Sequence, residues 1–160
     1  MNQRPAPAIK IFYCYSHKDK ELREELEHHF SSLRRLGKIK TWCDREIQPG
    51  AKWEKEIDTS LESANLVLLL VSSDFIDSDY CWGKEMKRAL ERDNEGTARV
   101  IPIILRPVHW QGTPIAELQL LPTGGKPVTE WSVRDRAFTN IVEEINKVIT
   151  DLQSQLMEDE

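Results

Sequence analysis

The chain has 160 residues, of which 31% are charged and 39% hydrophobic, with a formal net charge of -5. That length suits one domain able to bury a core without disulfides, and the acidic balance weighs against nucleic-acid binding, which leans on a basic surface. Cys14, Cys43 and Cys81 stand far apart, read as reduced thiols in a reducing compartment, and show no CxxC or HExxH spacing, so no metal site is expected. The longest apolar run, Leu66 to Val71, is too short to span a bilayer, and MNQRPAPA lacks a signal-peptide core. The expected protein is cytoplasmic, or the cytosolic part of something larger, with neither nucleic acid nor membrane as partner.

Residues 1–8, with Pro5 and Pro7, read as a flexible tail ahead of a domain over 9–152. Ile9 to Tyr15 is rich in β-branched and aromatic residues and predicts strand one. Ser16-His-Lys-Asp19 matches a capping box, and Leu22, Leu26, Phe30, Leu33 and Leu36 predict a helix stopped by Gly37. Ile39 to Cys43 predicts strand two. The polar loop DREIQPG, residues 44–50, carries a Pro-Gly turn signal. Trp53, Ile57, Leu61 and Ala64 line one face of a second helix, and Asn65 to Val71 fits a central strand buried on both faces.

Ser72 to Asp79 reads as a polar loop leading into CWGKEM, residues 81–86. There Met86, Ala89 and Leu90 carry the apolar face, Glu85 follows Cys81 by four residues and Trp82 by three and so lies beside that stripe, and Gly83 costs the turn roughly 1 kcal/mol relative to Ala. Val100 to Leu105 predicts strand four despite Pro102, residues 106–125 an irregular stretch with one helical turn around Ile115 to Leu121, and Lys126 to Trp131 strand five. Phe138 to Leu152 carries the periodicity of a last amphipathic helix, leaving 153–160 as a disordered end or a linker to a further module. Alternating strands and helices predict an α/β, flavodoxin-like three-layer fold with a five-stranded parallel sheet of order 2-1-3-4-5. Ligands of such folds bind beyond the carboxyl ends of the strands, here near Tyr15, Ser16, Asp44, Ser72 and the CWGKEM helix.

The chemistry of that rim narrows by exclusion. The acidic pair that a phosphoacceptor receiver needs after strand one is replaced by Cys14-Tyr15-Ser16, and neither a G-x-G-x-x-G turn nor a phosphate loop stands there. Three stretches in this order and spacing, IFYCYSHKDKELREEL, DREIQPGAKWEKEI and SSDFIDSDYCWGKEM followed by RVIPIIL, resemble a TIR (Toll/interleukin-1 receptor) domain, most of all the bacterial members, over residues 9 to about 152. The second resembles the family's BB loop.

The resemblance implies a choice between two functions. Many bacterial and plant-type TIR domains cleave NAD+ at the nicotinamide–ribose bond, giving nicotinamide and ADP-ribose or a cyclic isomer, with NAD+ as substrate and no further cofactor. Others are non-catalytic scaffolds. The family's catalytic Glu lies in a W-x-x-x-E pattern, and Glu85 matches it; Trp82 stands three residues before Glu85, so Cys81 takes the place of the family's Trp. Tyr15, Ser16, Asp44, Trp82 and Trp110 are the implied substrate contacts. Ile47, Gln48, Pro49 and Gly50 are the implied assembly residues, docking on other TIR domains in a homo-oligomer or filament. Bacterial immune signalling is the implied setting.

A carboxylate near the ribose stabilises the oxocarbenium-like cation formed on cleavage. Gly83 would leave room for a ligand or the preceding loop. Without the resemblance, Glu85 reads as a half-exposed acid paired with Arg88, Asp44 as a turn cap, Ser16 as a helix cap, and Trp42, Trp53 and Trp131 as packing residues.

Overall fold

Leu66–Val71 forms the strand β3, and all six residues are buried. In the computed structural model, which describes residues 5–42 and 52–159, β3 lies between two parallel neighbours, β1 (Ile9–Cys14) and β4 (Arg99–Ile104). Strand β2 (Ile39–Trp42) lies outside β1, so the order is β2-β1-β3-β4. Register sets Cys14 opposite Leu69 and Val71 opposite Ile104, which brings the carboxyl ends of β1, β3 and β4 to one rim.

The two-residue alternation of strands sorts the core into halves. Ile11, Tyr13, Leu66, Leu68, Leu70, Ile101 and Ile103 face one side. There they meet Leu26 of α1 (Lys20–His29), Leu33 of α2 (Ser31–Arg35), and Phe138, Ile141 and Ile145 of α6 (Arg134–Glu158). Phe12, Cys14, Val67, Leu69 and Val71 face the other side. They meet Ile57 and Leu61 of α3 (Trp53–Ser63), Phe75 of α4 (Ser73–Asp77), and Met86 and Ala89 of α5 (Met86–Glu95). Each fully buried aliphatic or aromatic side chain contributes roughly 1.5–3 kcal/mol.

Five expectations need correction. The helix over Leu22 to Leu36 is two helices broken at Phe30, where Ser31 Oγ donates to the His28 carbonyl at 2.5 Å and competes with the helical ladder. Gly37, at φ +73°, ends the pair as its position predicts. The stretch Ser72 to Asp79 is not a plain loop: Ser72 caps α4, accepting from the Phe75 amide at 3.2 Å.

The third correction concerns strand five. Lys126 to Trp131 contains a 3-10 turn, Val128–Glu130, and among the described residues the sheet has four strands. Only Leu121 bridges to Ile103, because Pro122 and Pro127 bring no amide donor and Gly124 and Gly125 turn the chain at positive φ. That bridge also explains Pro102: the Leu121 amide donates to the Pro102 carbonyl at 2.9 Å and the Ile104 amide to the Leu121 carbonyl at 2.8 Å. The missing N–H of Pro102 therefore points to the outer edge, away from β3. The expected helical turn in 106–125 is present as Pro114–Glu117.

Fourth, α6 runs to Glu158 and not to residue 152, because Leu152 and Leu156 continue its apolar stripe onto the core. Fifth, Gly83 has no atom within 4 Å of the place a Cβ would take, so packing against the preceding loop is not what calls for glycine there. The expected strand residue Cys43 and the whole loop 44–50 lie outside the described residues, as do the side chains of Trp42 and Trp53.

Arg92 of α5 ties the end of α3 to the segment that follows α5. Its Nη1 donates to the carbonyls of Leu61 and Ala64, each at 2.7 Å, and its Nη2 to the Thr97 carbonyl at 2.8 Å. These are the carbonyls a helix end leaves unpaired. Arg92→Ala strips charge-assisted bonds from buried acceptors, and a urea melt should show a loss of about 2–4 kcal/mol; a loss below about 0.5 kcal/mol, the range of ordinary surface changes, would contradict this role.

Candidate functional site

Two buried acids stand at the rim where β1, β3 and β4 end. Asp19 follows β1 in a 3-10 turn, His17–Asp19, and is 2% exposed. It does not act as the acid of a capping box. Its carboxylate accepts from Ser72 Oγ and from Arg106 Nε at 2.9 Å, and Arg106 Nη2 donates to Asp74 at 2.5 Å. Lys18 Nζ lies 3.7 Å from the same Asp74. This network ties the segments after β1, β3 and β4 together, and residue order alone does not reveal it; the signal was a Ser directly after the apolar run and an Arg directly after strand four.

The second acid is Glu85, 6% exposed. It closes a wide π-helical turn, Asp79–Glu85, entered through Ser78, whose hydroxyl accepts from the Cys81 amide at 3.1 Å. The widened turn lets Cys81, Glu85 and Met86 all face the sheet. Cys14, last in β1, points to the same face. Its Sγ donates to Glu85 Oε1 at 3.5 Å and to the Cys81 carbonyl at 3.7 Å, while Cys81 Sγ donates to the Tyr15 carbonyl at 3.3 Å. The two sulfurs and a Glu85 carboxylate oxygen lie within 4.8 Å of one another. Cys14 and Cys81 are 67 positions apart, so no local spacing announced this cluster.

Burial pushes the Glu85 carboxyl up to about 8, with Cys81 adding to the rise. Burial also holds the Cys14 thiol well above its ordinary range. Cys81 goes the other way, down to about 7, chiefly through its hydrogen bond with Cys14. Near neutral pH burial therefore favours Glu85 as the neutral acid. Arg88, the partner expected for an exposed Glu85, pairs instead with Glu62 at 2.6 Å, Glu91 at 3.2 Å and Glu95 at 3.5 Å. Glu85 opens on a cavity of about 290 Å³ lined with Asp58, Leu61, Glu62, Lys84 and Arg88. A larger opening of about 650 Å³, lined by Glu24, Glu27, Arg34 and Thr41, does not include Glu85.

The remaining expected contacts scatter. Tyr15 reaches Cys81 through its carbonyl, but its ring packs on the opposite half of the core, with the Arg23 guanidinium 5.3 Å from its centroid. Ser16 serves as a cap, accepting from the Lys18 amide at 3.3 Å. Trp82 meets Phe75 edge-on at 6.1 Å between centroids, while Cys81 takes the inward position beside Glu85. Trp110 packs on the same half of the core as Glu85's neighbours, against the backbone at Gly125. Asp44, Ile47, Gln48, Pro49 and Gly50 lie outside the described residues.

Comparison with known proteins places this geometry. Residues 11–126 match the family model described as TIR domain. A Sinorhizobium fredii protein, the uncharacterized y4lF, is 44% identical over 137 residues, covering 86% of this chain. The chain spans 42% of that protein's length. The fold is similar to the TIR domain of the Toll-related receptor TRR-2 from Hydra magnipapillata, at TM-score 0.59 and 23% identity over 85% of this chain and 97% of the other. It is similar as well to the TIR domains of the activated Roq1 resistosome that recognises the effector XopQ, at TM-score 0.65 and 15% identity over 86% and 99%.

The buried carboxyl has a cost that depends on pH. A carboxyl that titrates near 4.5 when unfolded and near 8 when folded contributes its full stability below the lower value and loses it as pH rises to the upper one. Glu85→Gln removes that loss. The stability of the variant relative to the wild type should climb between pH 4.5 and 8, by at most about 1.4 kcal/mol per pH unit, and level off above. Denaturant melts at four or five pH values test this, and a difference independent of pH would contradict the neutral buried acid.

Proposed function

The chain belongs to the TIR domain family, and from that premise we propose that it cleaves NAD+ at the nicotinamide–ribose bond, with Glu85 as the catalytic residue. The observation that carries this reading is the burial of Glu85 at the carboxyl end of the sheet, facing a cavity and not held in the exposed ion pair with Arg88. Perturbed acids in a cleft mark candidate sites. The cavity lies at the small end of ligand pockets, roughly 300–1,000 Å³, and suits one end of a dinucleotide.

In this mechanism the bond between ribose C1′ and the pyridinium nitrogen breaks, and its electron pair goes to the nitrogen. Nicotinamide leaves neutral and needs no proton. Positive charge develops on the ribose, where the Glu85 carboxylate stabilises it and accepts hydrogen bonds from the hydroxyls. Water adding at C1′ and losing a proton gives ADP-ribose; an adenine nitrogen adding there gives a cyclic isomer. The cation of the substrate favours the ionised form of Glu85, so binding releases the proton that burial retains. No cofactor beyond the substrate takes part. No helix among the described residues is long and apolar enough to cross a membrane; a cytoplasmic setting in immune signalling is part of the proposed reading. Assembly through the segment holding Ile47 to Gly50 is the proposed trigger, in keeping with the resistosome relative. The second reading is a non-catalytic scaffold that signals by TIR–TIR association.

Nicotinamide release from NAD+, followed at high protein concentration, decides between these readings. The wild type should release it and Glu85→Ala should lose at least ~100-fold in kcat. Because the ionised acid is the working form, kcat/KM should rise with pH through about 8. Equal release by both proteins removes Glu85 from the chemistry; silence in both, even when clustered artificially, leaves the scaffold.

A further inference from the structure

We propose that Cys14, Cys81 and Glu85 form a binding site for a thiophilic divalent cation of the zinc type, and that the bound cation silences the site. The binding half stands on geometry alone; the silencing half rests on Glu85 being the catalytic acid. Among the described residues these are the only metal-capable side chains whose ligand atoms gather within 4.8 Å in a group of three.

The spacing fits the ion. Zinc–sulfur bonds of about 2.3 Å and zinc–oxygen bonds of about 2.0 Å make a tetrahedron with sulfur–oxygen edges near 3.5 Å and sulfur–sulfur edges near 3.8 Å. Cys14 Sγ and Glu85 Oε1 already stand 3.5 Å apart. The other two edges lie within 4.8 Å, so closing on the ion takes at most about 1.0 Å on the sulfur–sulfur edge and about 1.3 Å on the sulfur–oxygen edge. Two sulfurs and one oxygen select soft or borderline cations over magnesium and calcium. Three protein ligands leave one position free, and the cavity that Glu85 lines provides access from its side.

The ligands are positioned from outside as well. The Cys81 amide is held by Ser78 Oγ at 3.1 Å, and Cys14 is fixed in β1 by its pairing with Leu69. Binding takes a proton from each thiol and from Glu85 if it is neutral; nothing is oxidised or reduced. The thiol hydrogen bonds to Glu85 and to the Tyr15 carbonyl give way to bonds to the metal. Glu85 as a ligand no longer faces the ribose, and the cation repels the charge that cleavage creates.

The test uses the reduced full chain with cobalt(II) or zinc chloride alone. Cobalt should give a thiolate charge-transfer band that saturates at one equivalent and that zinc abolishes. Cys14→Ser and Cys81→Ser should each remove it, Glu85→Gln should weaken binding at least ~10-fold, the size of effect seen on losing even an outer partner, and Cys43→Ser should leave it intact. No band, or a band lost only in Cys43→Ser, overturns the site. Because the cysteine variants alter buried positions, X-ray absorption of the zinc-loaded wild type gives a separate reading: two sulfurs with oxygen in the first shell support the site, and a shell without sulfur overturns it. Zinc should also stop nicotinamide release, reversed by a chelator. Binding without any basal release keeps the site and sinks the catalytic reading; binding with release unaffected sinks the silencing.

Discussion

Burying Leu66–Val71 on both faces sets the terms for the whole molecule. Six consecutive apolar residues leave no polar side for solvent, so helices must cover the strand on each face and crossovers must return every neighbouring strand parallel to it. Parallel strands bring their carboxyl ends together. Asp19 after β1, Ser72 after β3 and Arg106 after β4 meet for that reason, although 53 and 87 positions separate Asp19 from its two partners. The site is a consequence of the core's arithmetic before it is a matter of particular side chains.

That rim holds two buried carboxyl groups in opposite surroundings. Asp19 is satisfied by a guanidinium and a hydroxyl, and the guanidinium reaches on to Asp74. It is a fastening, and its charge is answered within the fold. Glu85 is buried against two thiols with no cation paired to it among the described residues, and its response is to keep its proton. Environments that divide like groups in this way separate a structural acid from a reactive one. The π-helical turn makes the division possible, since it brings Cys81, Glu85 and Met86 to the sheet and sends Trp82 out to Phe75.

Much of this was legible beforehand. The β-branched and aromatic content of β1, the unbroken run of β3 and the alternation of strands with helices announced a parallel sheet, and the apolar stripe of CWGKEM put Glu85 near the core. What was not legible follows from tertiary context. Lys126 to Trp131 has strand-like composition, but its prolines and glycines break the ladder. Asp19 carried a local capping signature that a distant arginine overrides. Tyr15 is next to the rim in sequence, but strand alternation turns its ring to the far side. The pairing of Cys14 with Cys81 needed the register of β1 against β3, which single-chain periodicity does not supply.

Folding alone gives no reason for Glu85. An acid held neutral by burial lowers stability at every pH where the unfolded chain would ionise it, and a Gln or Met of similar size would fill the same space without that penalty. Gly83, two positions earlier, adds a second local cost where no packing demands a glycine. Cys81 adds a third departure: its amide is pinned, and its thiol is drawn down by Cys14. Two costs and one perturbed thiol within five residues, at the carboxyl end of a parallel sheet and beside a cavity, are poorly explained one at a time. They are explained together if this turn is built to meet something from outside the chain, a cation on the ribose in one state and a metal cation in another. Both demands converge on the same physical property: a buried acid and a buried thiol, Glu85 and Cys14, that the fold keeps protonated beside a second thiol, Cys81, already drawn toward ionisation, all of which a positive charge converts to anions.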